Sequence, residues 1–301
     1  MLLLQYFRTQ NLNQSQHQMK LGVDLGGTNI RVGLVDGDKI LVKNAAPCPA
    51  QRPAEEVLAS IGDLIADTIT EEVAGIGIGV PSAVDVEKGI VYNVANIPSW
   101  KEVHITDYLQ NRFKVPAFVN NDANCFALGE AVYGCCRGLR DVVGITLGTG
   151  VGMGIIINGQ LYNGVCAGAG EMSSIPYLDS DYEHYCSSSF FTRCYGITGK
   201  EAAKRAGEGD LAALEIWDAF GTHLGKFVTA VLFAFAPEAI VFGGSIANAF
   251  PLFKESLMRE LDNYPYKAIL ERLKICTSCN GDTAILGAAA LVDSSLNDIE
   301  K

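Results

Sequence analysis

Residues 20–35 have the sequence KLGVDLGGTNIRVGLV, and this stretch decides the fold. Residues 20–24 and 30–35 are rich in Val, Leu and Ile, which predicts two β-strands. Gly26 and Gly27 lie between them and predict a tight turn, because glycine tolerates the backbone angles at which a chain reverses. We therefore predict a hairpin-like pair of strands at the start of the fold.

The same pattern returns in the second half of the chain. Residues 141–147 predict a strand, Gly148, Thr149 and Gly150 predict a second glycine turn, and residues 152–157 predict the returning strand. This recurrence indicates an internal duplication. Further strands are predicted at 74–80, 117–120 and 239–242, and helices at 51–70, 105–114, 124–133, 210–236, 250–264 and 284–296. The alternation of strands and helices predicts an α/β fold.

Composition and charge exclude several classes of protein. The chain has 301 residues, of which 49% are apolar and 32 are glycine, so a disordered or collagen-like chain is excluded. A net charge of −11 repels a phosphate backbone, and we expect no nucleic-acid partner. The nine cysteines lack the spacing of a disulfide framework, and residues 1–18 resemble neither a signal peptide nor an anchor. We expect a cytoplasmic protein with a flexible tail at residues 1–18 and no membrane partner.

The glycine turns have the chemistry of a nucleotide site. Bare backbone N–H groups approach phosphates closely, Thr28 adds a hydrogen-bond donor, and Asp24 at a strand end can hold a hydrated Mg²⁺. Gly243 and Gly244 follow a third strand, where a flat adenine can lie against the backbone. A plain hairpin turn explains one such loop equally well, but three in this order favour nucleotide binding.

Four motifs together resemble those of the ROK family (repressors, open reading frames and kinases). They are DLGGT at 24–28, NDAN at 121–124, LGTG at 147–150 and IVFGG at 240–244. The resemblance extends over residues 20–291 and implies the superfold of hexokinase, actin and the Hsp70 ATPase. That fold is α/β, with two RNase H-like (actin-like ATPase) lobes around an interlobe cleft. It implies an N-terminal lobe of residues 19–122 with a C-terminal helix at 287–301, and a C-terminal lobe of residues 123–286.

The family resemblance also implies ATP, Mg²⁺, a small-molecule sugar substrate and a homodimer. It places the catalytic base at Asp122, the water-mediated Mg²⁺ contact at Asp24 and the adenine at Gly243 and Gly244. The phosphate-binding residues it implies are Gly26, Gly27, Thr28, Gly148, Thr149 and Gly150, and the sugar-binding residues are Ser82, Asn96, Asn121, Asp122 and Glu171.

Three of the polar residues assigned to the sugar have a simpler alternative. An Asp before a helix, such as Asp122, is commonly an N-cap. Asn96 precedes Ile97 and Pro98, a context that also forms turns. For Glu171 the alternative is an exposed residue at the start of a helix, which the preceding glycines make the weaker interpretation.

The chain departs from the family pattern where the family binds a structural zinc. Ser174 stands at the position of the ligand His, and the cysteine-rich run that follows has lost its glycines. His184, Cys186 and Cys194 would supply three ligands of a relocated site, whereas structural Zn²⁺ takes four. We therefore expect no structural zinc. Cys276 and Cys279 have ligand spacing but no second pair, so we expect two unrelated thiols.

The sequence favours an ATP-dependent kinase for a hexose or a hexose derivative, similar to glucokinase. The alternative is a sugar-binding regulatory protein of the same family without kinase activity. Repressors of the family carry a winged helix-turn-helix domain ahead of the first phosphate loop, and the residues before Lys20 are too few for one.

Overall fold

The computed structural model describes residues 18–299, and its first sheet forms around the predicted hairpin. Strands β1 (Met19–Leu25) and β2 (Asn29–Asp36) pair antiparallel, and β3 (Lys39–Pro47) continues the meander. Strands β4 (Val73–Val80) and β8 (Ala117–Asn121) extend the sheet in parallel, giving the order β3-β2-β1-β4-β8. The hairpin prediction is confirmed, whereas β3 was not predicted.

The second sheet repeats this arrangement. Strands β9 (Val142–Leu147), β10 (Val151–Ile157) and β11 (Gln160–Leu161) form an antiparallel meander. Strands β14 (Ala239–Gly243) and β15 (Lys274–Thr277) extend it in parallel, giving the order β11-β10-β9-β14-β15. The two sheets therefore have the same topology, which confirms the predicted duplication, although β15 was not predicted.

Helices cover both sheets. The helices are α1 (Ala54–Ala66), α2 (Ile105–Phe113), α3 (Asp122–Val132), α4 (Tyr182–Cys186), α5 (Ser188–Tyr195), α6 (Gly199–Gly207), α7 (Leu211–Phe235), α8 (Phe250–Leu261), α9 (Lys267–Leu270) and α10 (Thr283–Ile299). Residues of α1 and α2 share one hydrophobic core with the first sheet, and residues of α7 and α8 share another with the second sheet. Each sheet thus has a hydrophobic core of its own.

Smaller elements complete the architecture. Strands β5 (Ala83–Asp85), β6 (Ile90–Tyr92) and β7 (Glu102–His104) form a small antiparallel sheet, and β12 (Pro176–Tyr177) pairs with β13 (Ser180–Asp181). Short 3₁₀ turns occupy Val165–Ala167, Glu171–Ser174 and Ile246–Ala249.

Helix α10 returns from the second sheet to the first and packs against β1 and β4. A Cβ atom at Gly22 would lie 2.0 Å from the carbonyl oxygen of Ile285, and one at Gly77 would lie 1.7 Å from that of Ala288. Glycine in these strands therefore lets the helix backbone approach the sheet directly. Because α3 packs on β9 and β10 and also on α10, the two helices connect the two sheets.

Within residues 18–299, no helix combines the length and the apolar character that crossing a bilayer requires. The predicted flexible tail lies outside the described residues, except for its last residue, and so does the end of the predicted helix at 287–301.

Candidate active site

A cavity of about 800 Å³ opens where strands of both sheets end. Its wall includes Asp24, Gly26 and Arg31 from the first hairpin, Asp122 and Phe126 from α3, Thr146 from β9, and Gly243 and Gly244 at the end of β14. Residues 277–281, which begin with the last residue of β15, close another side. Four predicted cofactor residues and the predicted catalytic Asp122 therefore line the same cavity.

Asp122 is the first residue of α3, and its neighbour Asn121 is the cap of that helix. The Asn121 side-chain oxygen accepts hydrogen bonds from the backbone N–H groups of Ala123 at 2.9 Å and Asn124 at 3.3 Å. The alternative reading of Asp122 as an N-cap is therefore wrong. The carboxylate of Asp122 lines the cavity, and its Oδ1 also accepts from Ala123 N–H at 2.9 Å.

The surroundings of Asp122 keep it protonatable near neutral pH. Burial, together with the negative charges of Asp24 and Glu171, raises the pKa of Asp122 to about 6. The hydrogen bond from Ala123 N–H opposes this shift without cancelling it. A carboxylate with a pKa close to neutral is suited to accept a proton from a substrate.

Arg31 is a cavity residue that the sequence analysis missed. It lies opposite Asp24 in the β1–β2 pair, and its Nε and Nη2 donate to Asp24 Oδ2 at 2.8 and 2.6 Å. Its Nη1 donates to the carbonyl oxygen of Gly281 at 3.1 Å, so one guanidinium joins two walls of the cavity. The hairpin register was the available signal, because a turn centred on residues 27 and 28 pairs position 24 with position 31.

The acidic residues of the cavity fit a hydrated Mg²⁺. Asp24 and Asp122 supply carboxylate oxygens to one polar space, and oxygen is the ligand type that Mg²⁺ prefers. Both bonds from Arg31 end on Asp24 Oδ2, so Oδ1 takes neither of them. Arg31 therefore fixes the orientation of the Asp24 carboxylate through Oδ2 and makes no hydrogen bond to Oδ1.

The first glycine turn lies against the residues predicted to bind sugar. A Cβ atom at Gly27 would lie 2.7 Å from Cβ of Asn96, so the turn and Asn96 are in close contact. Asn121 Nδ2 donates to the carbonyl oxygen of Ser82 at 3.3 Å, and the Ser82 hydroxyl donates to the carbonyl oxygen of Tyr92. The structure thus places Asn96 beside this turn and Ser82 beside the residue preceding Asp122. Thr28 is exposed and is absent from the cavity wall described above.

The second glycine turn lies beside the predicted adenine turn. Gly148 N–H donates to the carbonyl oxygen of Gly150 at 3.0 Å, and its own carbonyl oxygen accepts from Ser188 N–H at 2.8 Å. A Cβ atom at Gly244 would lie 2.3 Å from the carbonyl oxygen of Leu147, so the two turns touch. Gly148, Thr149 and Gly150 are next to the cavity wall rather than part of it.

Two contacts attach helix α3 and the strand before it, β8, to the second half of the molecule. The ring of Phe126 on α3 packs on Gly243, where a Cβ atom would lie 2.4 Å from Cζ of the ring. Asn120, two residues before Asp122, donates through Nδ2 to Asn163 Oδ1 at 2.8 Å. Phe126 and Asn163 carry no sequence signal that distinguishes them from ordinary core and loop residues.

Glu171 is exposed and begins the 3₁₀ turn Glu171–Ser174. The turn is set by Gly170, whose φ of 102° and close approach to the carbonyl oxygen of Met153 both require glycine. Because the charge of Glu171 raises the pKa of Asp122, the two carboxylates lie within electrostatic reach.

The three residues of the relocated zinc hypothesis do not converge. Cys186 is fully buried in the core of the second sheet, Cys194 is exposed, and His184 Nδ1 contacts Asp181 Oδ1 at 2.7 Å. In the part of the chain that the structure describes, their ligand atoms form no metal-binding group. Cys276 does not pair with Cys279, as the sequence predicts; β15 instead brings Cys276 to Cys135, where the two Sγ atoms lie 2.8 Å apart.

Two sheets of identical strand order, with a polar cleft where their strands end, define the actin-like ATPase fold. The chain belongs to the ROK family, whose model matches residues 20–295. It is 32% identical to a glucokinase of Thermotoga maritima, covering 90% of this chain and 96% of that protein. It is 29% identical to a xylose repressor of Bacillus spizizenii, covering 75% of this chain and 63% of the repressor. A ROK family glucokinase of Streptomyces griseus, solved with glucose and AMPPNP, matches with a TM-score of 0.78 at 26% identity, covering 91% of this chain and 98% of that one.

Proposed function

We propose that the protein is an ATP-dependent kinase that phosphorylates a hydroxyl of a hexose or hexose derivative. One observation carries the proposal: a single cavity of about 800 Å³ contains a carboxylate of pKa about 6, Asp122, and the bare backbone of Gly243 and Gly244. The cavity thus contains both a proton acceptor, Asp122, and a space large enough for a nucleotide, and phosphoryl transfer requires the two together.

In this proposal ATP lies along the glycine turns. Its adenine rests near Gly243 and Gly244, and its phosphates extend between residues 26–28 and residues 148–150. The space around Gly148 and Gly281 supports this placement, because a Cβ atom at either position would meet no heavy atom within 4 Å. Asp24 would hold Mg²⁺ through water, and a bound Mg²⁺ would supply neutralisation of the phosphate charge.

The sugar occupies the side of the cleft near Asn96, Asn121 and Glu171, with Ser82 behind Asn121. Asp122 accepts the proton of the attacking hydroxyl, and the positive end of the α3 dipole favours the ionised form of Asp122 that this role requires. Arg31 keeps Asp24 in place through its paired hydrogen bonds. The proposal also includes a homodimer. It further includes two lobes, one of residues 19–122 with the helix at 287–301 and one of residues 123–286.

The experiment is ATP consumption measured by coupled ADP detection with a panel of hexoses and N-acetylhexosamines. We expect at least one sugar to raise ADP production far above the rate without sugar, and mass spectrometry to find the sugar phosphate. If no sugar on the panel raises the rate above that background, the kinase proposal fails.

The second candidate is a sugar-binding regulator without catalysis, and the similarity to a xylose repressor supports it. The two proposals predict different results with the same sugar. A regulator binds the sugar in calorimetry yet produces no ADP when ATP and Mg²⁺ are added, whereas a kinase produces ADP at a rate that saturates with sugar.

A further inference from the structure

Three cysteine thiols meet beyond the C-terminal end of α3, and none of the three lines the cavity. Cys135 and Cys136 follow that helix, and Cys276 lies on β15. Cys135 Sγ lies 2.8 Å from Cys276 Sγ and 3.8 Å from Cys136 Sγ. Of the His, Cys, Asp and Glu side chains within the described residues, these three alone form a group whose ligand atoms all lie within 4.8 Å of one another.

The backbone around the thiols is held by bonds that do not involve sulfur. Cys135 N–H donates to Glu130 Oε2 at 3.0 Å, and Glu130 is buried with its other oxygen accepting from Thr283 Oγ1 at 3.0 Å. Cys276 is fixed by the parallel pairing of β14 and β15, in which it lies opposite Val241. The cluster is therefore organised by the fold before any ligand arrives.

The ligand set selects a soft ion. Thiolates favour soft metals such as Cu⁺, whereas Mg²⁺ and Ca²⁺ require oxygen. Structural Zn²⁺ takes four protein ligands, and no fourth His, Cys or carboxylate of the described residues joins the group. Cu⁺ is satisfied by three sulfur atoms in a plane.

The spacing of the sulfurs is close to what a shared ion needs. Three sulfurs bound at about 2.3 Å to one ion lie about 4 Å apart. The Cys135–Cys136 separation of 3.8 Å already matches, and Cys276 Sγ must move outward by about 1 Å from its contact at 2.8 Å. Cys136 is buried while Cys135 and Cys276 are half-buried, so the ion has an entry route on one side.

We propose that Cys135, Cys136 and Cys276 form a binding site for one Cu⁺ ion. Binding forms three copper–sulfur bonds and releases the thiol protons to solvent, with no change in the oxidation state of copper or sulfur. The site joins the end of the helix that begins at Asp122 to the strand that leads into residues 277–281 of the cavity wall.

The test uses the full chain, reduced and kept without oxygen, with thiol titration confirming nine free cysteines before metal is added. The probe is Cu⁺ supplied as its coloured bicinchoninate complex, whose loss of absorbance reports transfer to protein. We expect wild type to withdraw about one Cu⁺ per chain, and Cys276→Ser and Cys135→Ser to lose more than 90% of that uptake. Cys194→Ser removes an exposed cysteine outside the cluster and should behave as wild type.

Circular dichroism melting establishes that each variant is folded, and X-ray absorption of the copper-loaded wild type gives a readout that needs no variant. We expect three sulfur neighbours and no nitrogen or oxygen. Absence of uptake by the reduced wild type overturns the proposal, as does equal uptake by all variants. Stoichiometric Zn²⁺ binding without Cu⁺ binding overturns it as well. None of these measurements depends on sugar or ATP, so they are independent of the kinase proposal.

Discussion

At the scale of single residues, the division of labour between Asn121 and Asp122 determines what the site can do. Asn121 caps α3 with its side-chain oxygen, so Asp122 is not needed for that role. Asp122 is instead placed at a helix N-terminus, in a cavity, near two other carboxylates. The helix dipole favours its charge while Asp24 and Glu171 oppose it, and the balance leaves a pKa of about 6.

Asp122→Asn tests the proposed base directly. Asn keeps the shape but cannot take up the hydroxyl proton, so we expect kcat to fall by roughly 10²–10⁴ while sugar affinity changes much less. The measurements are kcat for the best sugar of the panel and calorimetric titration of that sugar. Asp107→Asn is the matched control, because Asp107 is also an acid in the first turn of a helix, α2, but is exposed. Turnover above about a tenth of wild type in Asp122→Asn would remove Asp122 from the mechanism.

The raised pKa of Asp122 predicts opposite pH trends for activity and stability. A base must be ionised, so kcat/KM should fall about tenfold per pH unit below about 6. Since the pKa is raised above its ordinary value, the folded protein binds this proton more tightly, and its stability decreases as pH rises through about 6. Asp122→Asn should therefore melt higher than wild type at pH 8, with the difference shrinking toward pH 5. A melting difference that grows on acidification would contradict this assignment.

At the scale of elements, the turn at residues 148–150 and the turn at residues 243–244 contain glycine for different physical reasons. A positive φ does not explain the glycine at position 148, because Gly148 is not among the positive-φ glycines of the described residues. Glycine at position 148 instead leaves an open space beside the backbone, because no heavy atom lies within 4 Å of a Cβ atom placed there. Gly244 is the residue with a positive φ, 82°.

Gly148→Val should fold normally and lose nucleotide affinity. A Cβ atom at this position meets no heavy atom within 4 Å, and the valine side chain fills space that the proposed phosphates need, so sugar binding should be nearly unchanged. Separate calorimetric titrations with the nucleotide and with the sugar measure this. Gly207→Val is the matched control, since Gly207 also has open space and no positive φ but lies at the end of α6. Equal loss of both affinities would mean that the substitution disturbs the fold and leaves the loop unassigned.

The environment of the cysteines in segment 182–194 leads us to expect a protein without bound zinc. Cys186 is buried among apolar residues, and this burial raises the pKa of its thiol, which disfavours the thiolate that zinc requires. We expect elemental analysis of protein purified from zinc-containing medium to find far less than one zinc per chain. One zinc per chain that disappears in Cys186→Ser would show that the site exists after all.

The elements that the sequence predicts well are those with a buried face. Strands β1 and β4 and helix α7 have apolar residues at strand or helix spacing, and all three were predicted to within a few residues. Strands β3 and β15 are at sheet edges, and Leu41 of β3 is 53% exposed. Such strands exist because a neighbour offers hydrogen bonds, so their own residues carry little periodic signal. The thiol cluster was missed for the same reason, because it depends on the register of β15.

At the scale of the whole molecule, the cleft depends on how α3 and α10 lie between the two sheets. Phe126 of α3 contacts Gly243 in the second half, while α10 rests on β1 and β4 in the first. The family motifs could be placed from the sequence, but the distances between them could not, because they are set by helix-to-sheet contacts that pair residues far apart in the chain. Arg31 reaching Gly281 across 250 positions is one such contact.

Gly287 is where this arrangement is most sensitive. A Cβ atom there would lie 1.6 Å from the carbonyl oxygen of Cys125, so alanine would force α10 away from α3, the helix that begins at Asp122. Forcing a side chain into a packed contact costs about 1–3 kcal/mol, occasionally more. We expect Gly287→Ala to unfold at lower urea concentration than wild type and to lose activity even where it remains folded. Gly207→Ala, at an open position on α6, should match wild type in both measurements. If Gly287→Ala is as stable and as active as wild type, α3 and α10 can separate freely, and the cleft geometry must be held by the sheets alone.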